Sequence, residues 1–168
     1  MSQLSQPTAD IDLMKQVNRK FVTGVTVITA LDGGTPKGLA VNAFASISLT
    51  PPTVMVCVQR TSNTHDCLFR ADHLAINILS AAQGPVAATF AGKSDDKFRD
   101  LAWRPGPFGS PLIDLSSARM ETEIRERLQT LTHTVFICRV VHAEVGEQAP
   151  MVYSSGGFYD GGALTPLP

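Results

Sequence analysis

Residues 38–64 read GLAVNAFASISLTPPTVMVCVQRTSNT. Small or polar side chains alternate with apolar ones through Val41, Ala43, Ala45, Ile47 and Leu49. The alternation stops at Pro51 and Pro52, and an apolar run resumes from Thr53 to Val58. A period of two marks a strand with one buried face, and a double proline is excluded from a central strand because it removes ladder donors. The stretch therefore predicts two strands joined by a proline turn. The second strand runs into Arg60, Thr61, Ser62, Asn63 and Thr64, where a helix is expected to begin at Asn63 or Thr64. Backbone N–H groups at a helix start, hydroxyls and a guanidinium together make a phosphate cradle. The same Ser, Thr and Asn are equally the residue types that cap a helix and bind nothing.

Upstream, Gly24 opens VTVITAL, rich in β-branched residues, and Asp32, Gly33 and Gly34 supply the positive φ that a tight hairpin needs. Before it, Asp10 or Asp12 caps a short helix in which Ile11, Met14, Val17 and Phe21 recur at three- and four-residue spacing, so this helix is expected to pack on the sheet. Downstream come a short helix over residues 64–70, a strand over 74–79, and a helix over VAATFAG. Ser80 and Gln83 read as the capping box of that helix, and Gly92 as its end. Residues 93–111 have the composition of a loop.

Residues 118–128 consist of helix formers, yet their pattern is that of a strand. Ala118, Met120, Thr122, Ile124 and Leu128 share one parity, Arg119, Glu121, Glu123, Arg125 and Arg127 the other, and Glu126 is the misfit. Residues 134–145 form the next strand, and 151–159 add a last one. The expected fold is mainly β, an antiparallel sheet of about six or seven strands with a few short helices, closing into a barrel to remove its edges. The expected organisation is a flexible N-terminus over 1–9, one domain over 10–162 and a tail over 163–168.

The 168 residues, with 14 basic and 15 acidic side chains and a net charge of −1, give no electrostatic footprint for nucleic acid or an anionic membrane, so neither is expected as a partner. Cys57, Cys67 and Cys138 lack C-x-x-C spacing and sit among apolar residues, as reduced thiols do in a cytoplasmic protein. No apolar run approaches the roughly 18 residues that span a bilayer, and the N-terminus has no signal-peptide pattern. Gly33 and Gly38 have the spacing of P-loop glycines, but Leu39 and Ala40 stand where Lys and Ser or Thr are required. G-x-G-x-x-G, G-x-S-x-G and H-E-x-x-H are all absent, and the His, Asp and Glu residues form no metal-ligand spacing.

The ordered blocks FVTGVTVIT, VNAFASISLTPP, the Ser and Thr after the second strand, FAGKSDDKF, GSP at residues 109–111 and a histidine at His133 resemble the short-chain flavin reductase family. These are the reductase components of two-component flavin monooxygenases. The resemblance covers about residues 13–160. It implies a split β-barrel of Greek-key type, assembled as a homodimer, that binds FMN or FAD and reduces it with NADH or NADPH for a separate monooxygenase.

Carried over by position, the resemblance sets Asn42, Ala43, Ser46 and Ser48 along the flavin ring and ribityl chain. It places Gln59, Arg60, Ser62 and Thr64 at the phosphate, and Phe90 and Lys97 packing on the flavin and neutralising it. Tyr159 closes the pocket from the C-terminal end, and His133 meets the nicotinamide. In the family pattern that histidine commonly follows an aspartate, whereas Thr132 precedes it here. His65, His73 and His142 read as ordinary surface or half-buried residues. Two other classes fit the same fold: a flavin-dependent reductase of a corrinoid or ferric chelate, and a non-catalytic flavin- or haem-binding module.

Overall fold

The structure, a computed structural model, describes residues 9–94 and 96–168; residues 1–8 of the expected N-terminal segment lie outside it. In chain order its elements are α1 (Ile11–Arg19), β1 (Thr23–Gly24), β2 (Thr26–Asp32), β3 (Thr35–Val41), β4 (Phe44–Leu49), β5 (Pro52–Gln59), α2 (His65–Arg70), β6 (His73–Ile78) and α3 (Gly84–Ala91). There follow β7 (Trp103–Pro105), β8 (Pro111–Ile113), β9 (Ala118–Gln129), β10 (His133–Val145), β11 (Met151–Ser154), β12 (Gly157–Asp160) and a 3₁₀ turn at Gly161–Ala163.

Seven strands form one antiparallel sheet in the order β3-β2-β6-β9-β10-β5-β4. The sheet rolls around a core of Ile28, Ala30, Val54, Val56, Val58, Leu74, Ile76, Phe136 and Cys138, with Cys67 and Leu68 of α2 plugging it. Strands β3 and β4 are the two edges, so the barrel stays split between them. Its other side carries a second core of Val25, Val27, Leu79, Ala87, Phe90, Ile113 and Met151. Strand β2 is thus buried on both faces, Ile28 and Ala30 facing one core and Val27 the other, which is why its sequence is apolar without alternation.

The β2–β3 hairpin turns at Gly33 and Gly34, with φ of 57° and 87°, values that a side chain would strain. Asn77 is fully buried. It donates to the Val27 carbonyl (3.1 Å) and accepts the Ile113 N–H (2.8 Å), pinning β8 across the sheet. Glu121 does the same one layer on: fully buried, it accepts the N–H groups of Phe108 (2.9 Å) and Ser110 (2.8 Å). Its carboxylate leaves no room for a Cβ at Gly106.

Several expectations need correction. The alternating stretch is two strands and not one, because the ladder breaks at Asn42 and Ala43 between β3 and β4. A further register shift between Ser46 and Ser48 leaves Ile47 and Leu49 exposed, so the assumed buried parity of β4 points outward. In β9 the ladder slips between Ile137 and Cys138, which puts Ile124 and Glu126 opposite consecutive residues of β10. Past this bulge the parity reverses: Leu128 is 52% exposed, while Arg127 folds back onto the carbonyls of Phe69 (3.0 Å) and Ala71. Glu126, the misfit of the pattern, sits beside that slip.

Helix α1 is capped by Asp10, whose carboxylate accepts from Asp12 and Leu13, but it buries none of its residues; its apolar stripe does not pack on the sheet. Ser80 is not the cap of α3, which starts at Gly84; only half of the expected box exists, the Gln83 side chain accepting the Ser80 N–H (2.9 Å). The segment expected to be loop contains the β7–β8 hairpin, and the last strand is a hairpin, β11–β12, paired with β1. The three cysteines are free thiols, and burial holds those of Cys67 and Cys138 up at about 11.

Candidate functional site

A cleft of about 850 Å³ follows the split in the barrel. One wall is β3 from Pro36 to Val41 with Asn42 and Ala43; facing it are Cys57 and Gln59 of β5, the 61–64 loop and His133; the segment after α3 closes the end. Where β3 leaves the ladder, the Asn42 carbonyl accepts the Phe44 N–H (3.0 Å) and the Ala43 carbonyl accepts that of Cys57 (3.0 Å). The first bond is a local turn and the second starts the pairing with β5, so the chain crosses the seam between its two edge strands.

Gly38 forms the floor. A Cβ there would stand 2.8 Å from the Phe90 ring and 2.9 Å from the Ile28 carbonyl oxygen, so only glycine fits. Its carbonyl accepts both the Thr64 hydroxyl (3.0 Å) and the Lys97 ammonium (3.4 Å), tying β3, the 61–64 loop and the segment after α3 together. Lys97 also donates to the Phe90 carbonyl (3.0 Å). Phe90 itself is 1% exposed and meets Phe98 edge-on at 5.1 Å, so it borders the cleft as a core residue.

The expected phosphate cradle is only partly available. Ser62 accepts the Thr64 N–H with its hydroxyl (3.2 Å), and its carbonyl accepts the His65 N–H (3.0 Å), so the N–H groups of the N-cap and of the first residue of α2 are already satisfied. Thr64 is 5% exposed and its hydroxyl is spent on Gly38. Thr61 and Asn63 are exposed and line the cleft. Arg60 does not line it: its backbone N–H donates to the Thr132 carbonyl (2.9 Å) and its guanidinium to that of Thr130 (3.4 Å).

His133 opens β10, half-buried at the cleft wall. The Thr130 hydroxyl accepts its N–H (3.1 Å) and donates to its carbonyl (3.0 Å), so the β9–β10 turn fixes its backbone. The Thr132 hydroxyl lies 2.8 Å from Nδ1.

Of the residues picked from the sequence, Asn42, Ala43, Gln59, Ser62, Thr64, Phe90, Lys97 and His133 border the cleft. Ser46, Ser48, Arg60 and Tyr159 do not. Ser46 and Ser48 lie beyond the break on edge strand β4, where Ser48 accepts the Thr50 N–H (3.1 Å), and Tyr159 pairs with Val152 in the separate β1-β11-β12 sheet. Sequence reading missed Lys37, Gly38, Cys57 and Lys93, all at the cleft; Thr61 and Asn63, also there, belong to the hydroxyl-rich group read as a cradle but not to the residues carried over from the family. Lys37 and Gly38 carried a signal: they stand just inside a strand whose hairpin turn was legible. Lys93 had none, since its place depends on where α3 ends against β3. Among the described residues no His, Cys, Asp or Glu cluster could hold a metal ion, and no helix is long and apolar enough to cross a membrane.

Residues 18–162 match the model of the flavin reductase like domain. The chain belongs to this family. Within the flavin reductase family it is 36% identical over 138 residues to the reductase component of a 4-nitrophenol 4-monooxygenase/4-nitrocatechol 2-monooxygenase of Rhodococcus opacus, a match covering 82% of this chain and 74% of that protein. It is 36% identical over 140 residues to Stc3, the stachydrine N-demethylase reductase subunit of Rhizobium meliloti, covering 83% of this chain and 61% of the relative. The first relatives are longer, and the chain spans as little as 45% of one of them. The NADH:FAD oxidoreductase SgcE6 of Streptomyces globisporus, solved with NAD and FAD fragments, superposes with a TM-score of 0.83 at 34% identity, covering 89% of this chain and 92% of that one. The fold is therefore the split barrel of the flavin reductases.

Because the Thr64 hydroxyl is bound within the fold, Thr64→Val is expected to lower stability by about 1 kcal/mol, read from urea denaturation. Ser62→Ala should leave a smaller mark, since the hydroxyl it removes serves one exposed-side turn.

Proposed function

We propose that the chain binds FMN or FAD in this cleft, reduces it with NADH, and passes reduced flavin to a separate monooxygenase component. The observation that supports this most is the pairing of one flat wall with unspent donors. Gly38, Ala40 and Ala43 keep side-chain bulk low at three positions of that wall, which it shares with Leu39 and Val41, so a planar ring system can approach the backbone there. Opposite, the side chains of Gln59, Thr61 and Asn63 make no hydrogen bond within the described residues and can serve a ligand. Lys37 and Lys93 bring positive charge to the same cleft for a phosphate. The volume is in the range of cofactor pockets, roughly 300–1,000 Å³.

Bound flavin supplies a ring that accepts hydride from the nicotinamide. The protein's part is to orient: Asn42 and Ala43 hold the ring edge, Thr61, Asn63 and the lysines hold the phosphate, and His133 holds the nicotinamide end. With its Nδ1 engaged by Thr132, Nε2 is the ring nitrogen of His133 left to serve a ligand. No protein nucleophile is needed. The relatives named as monooxygenase reductase components support the choice of acceptor.

A homodimer belongs to the same reading. Ile11, Met14 and Val17 of α1 and Ile47 and Leu49 of β4 are between 42% and 86% exposed, an apolar surface that a second copy would cover.

Purified protein should oxidise NADH only when FMN or FAD is present, and NADPH more slowly. His133→Ala should raise the KM for NADH about tenfold, the loss of one hydrogen bond to the ligand, while changing that for flavin little. No nicotinamide oxidation with either flavin would move the function to a binding module. Light scattering on a sizing column should give twice the 18.0 kDa chain mass, and a monomer at micromolar concentration would remove the dimer.

A further inference from the structure

The histidine that the sequence marks as ordinary, His65, is 6% exposed and lies behind the cleft wall. It is stacked on Phe69 with ring centroids 5.6 Å apart, and Phe136 leans on it at 6.4 Å. Its Nδ1 is 3.2 Å from the Asp66 carboxylate and its Nε2 is 2.8 Å from the hydroxyl of Thr134, which is fully buried. A carboxylate only accepts, so Nδ1 carries the proton, and in the neutral ring the Thr134 hydroxyl donates to Nε2.

This contact is the second of two that grip the start of β10, one at the residue before the strand and one at its second residue. At the start of the 60–64 loop the Arg60 N–H donates to the Thr132 carbonyl (2.9 Å); at its end the His65 ring meets Thr134. The two ties flank His133. The loop therefore cannot shift along β10 without moving the candidate nicotinamide residue, and the backbone pair Gln59–His133 fixes the same register from β5. A buried hydrogen bond of this kind resists displacement because separating it strands two polar groups away from water.

We propose that His65 is a positioning residue: through Thr134 it locks the 60–64 loop to β10 and so sets the separation between that loop and His133. The proposal rests on the reductase reading, in which one ligand is held at the loop and the other at His133. Misplacement of about 1 Å between two reacting partners is enough to slow a reaction by about 100-fold, so a loosened lock is expected to be felt in turnover.

The test is a cycle of His65→Phe, Thr134→Val and the double variant, with His65→Gln as the conservative replacement. The double variant removes both polar ends and leaves no buried donor stranded, so it is the one expected to fold. Flavin affinity is read by quenching of flavin fluorescence, hydride transfer by single-turnover oxidation of NADH, and the fold by thermal melting. In the folded double variant, hydride transfer should fall about tenfold or more and flavin should bind several-fold more weakly. His65→Gln, whose amide reaches the Thr134 hydroxyl, should recover most of the loss. A double variant that melts and turns over like the wild type, within about twofold, overturns the lock while leaving the reductase reading intact. A wild type that oxidises no NADH removes the reductase reading first, and the lock's catalytic meaning with it.

Discussion

An antiparallel sheet that rolls around a core must either pair its two edge strands or leave a seam. Here the edges are β3 and β4, neighbours in the chain; between them the Asn42 carbonyl closes a tight turn on the Phe44 N–H, and the Ala43 carbonyl already bonds Cys57 of β5, so the chain leaves β2 for β5 instead of pairing β3 with β4. The seam stays open. Everything that makes the cleft a site follows from it: a wall of small residues on β3, a facing wall on β5, and the start of β10 placed at the side.

An open seam needs bracing, and one atom provides much of it. The Gly38 carbonyl takes the Thr64 hydroxyl and the Lys97 ammonium together, joining the three segments that border the cleft. The backbone can come this close to Phe90 and Ile28 only because Gly38 has no side chain. Two groups that look like ligand donors in the sequence therefore hold the floor, which leaves Thr61, Asn63, Lys37 and Lys93 to face the interior. Polar groups already bonded within the fold are the less negotiable part of such a site. Exposed ones are free to meet a ligand.

The strands were legible because period-two alternation, the proline pair and the Gly33–Gly34 turn are local signals. Residues 118–128 were rightly read as a strand against their helical composition, yet Leu128 and Arg127 were assigned to the wrong faces, since a bulge is a property of the pairing with β10 and leaves no mark in one strand alone. The same holds for Ser46 and Ser48, whose alternation with Ala45 and Ile47 says nothing about the break at Asn42 and Ala43 upstream. Arg60 illustrates a different limit. Its chemistry suits a phosphate, but whether a guanidinium turns to a cleft or to the carbonyl of Thr130 is decided by a turn 70 residues away. His65 reads as ordinary in the sequence for the same reason, its partner Thr134 being 69 residues distant.

In the proposed complex flavin lies along the seam, with its ring against Asn42 and Ala43 and its phosphate near Thr61 and Asn63. A crystal structure of the protein soaked with FMN or FAD decides this placement. The expected result is density for the ring on the wall formed by Gly38, Ala40 and Ala43, with the phosphate between the 61–64 loop and Lys37 or Lys93. Flavin bound against Ser46 and Ser48 on the outer edge strand, or beside Tyr159, with the seam empty, would contradict it.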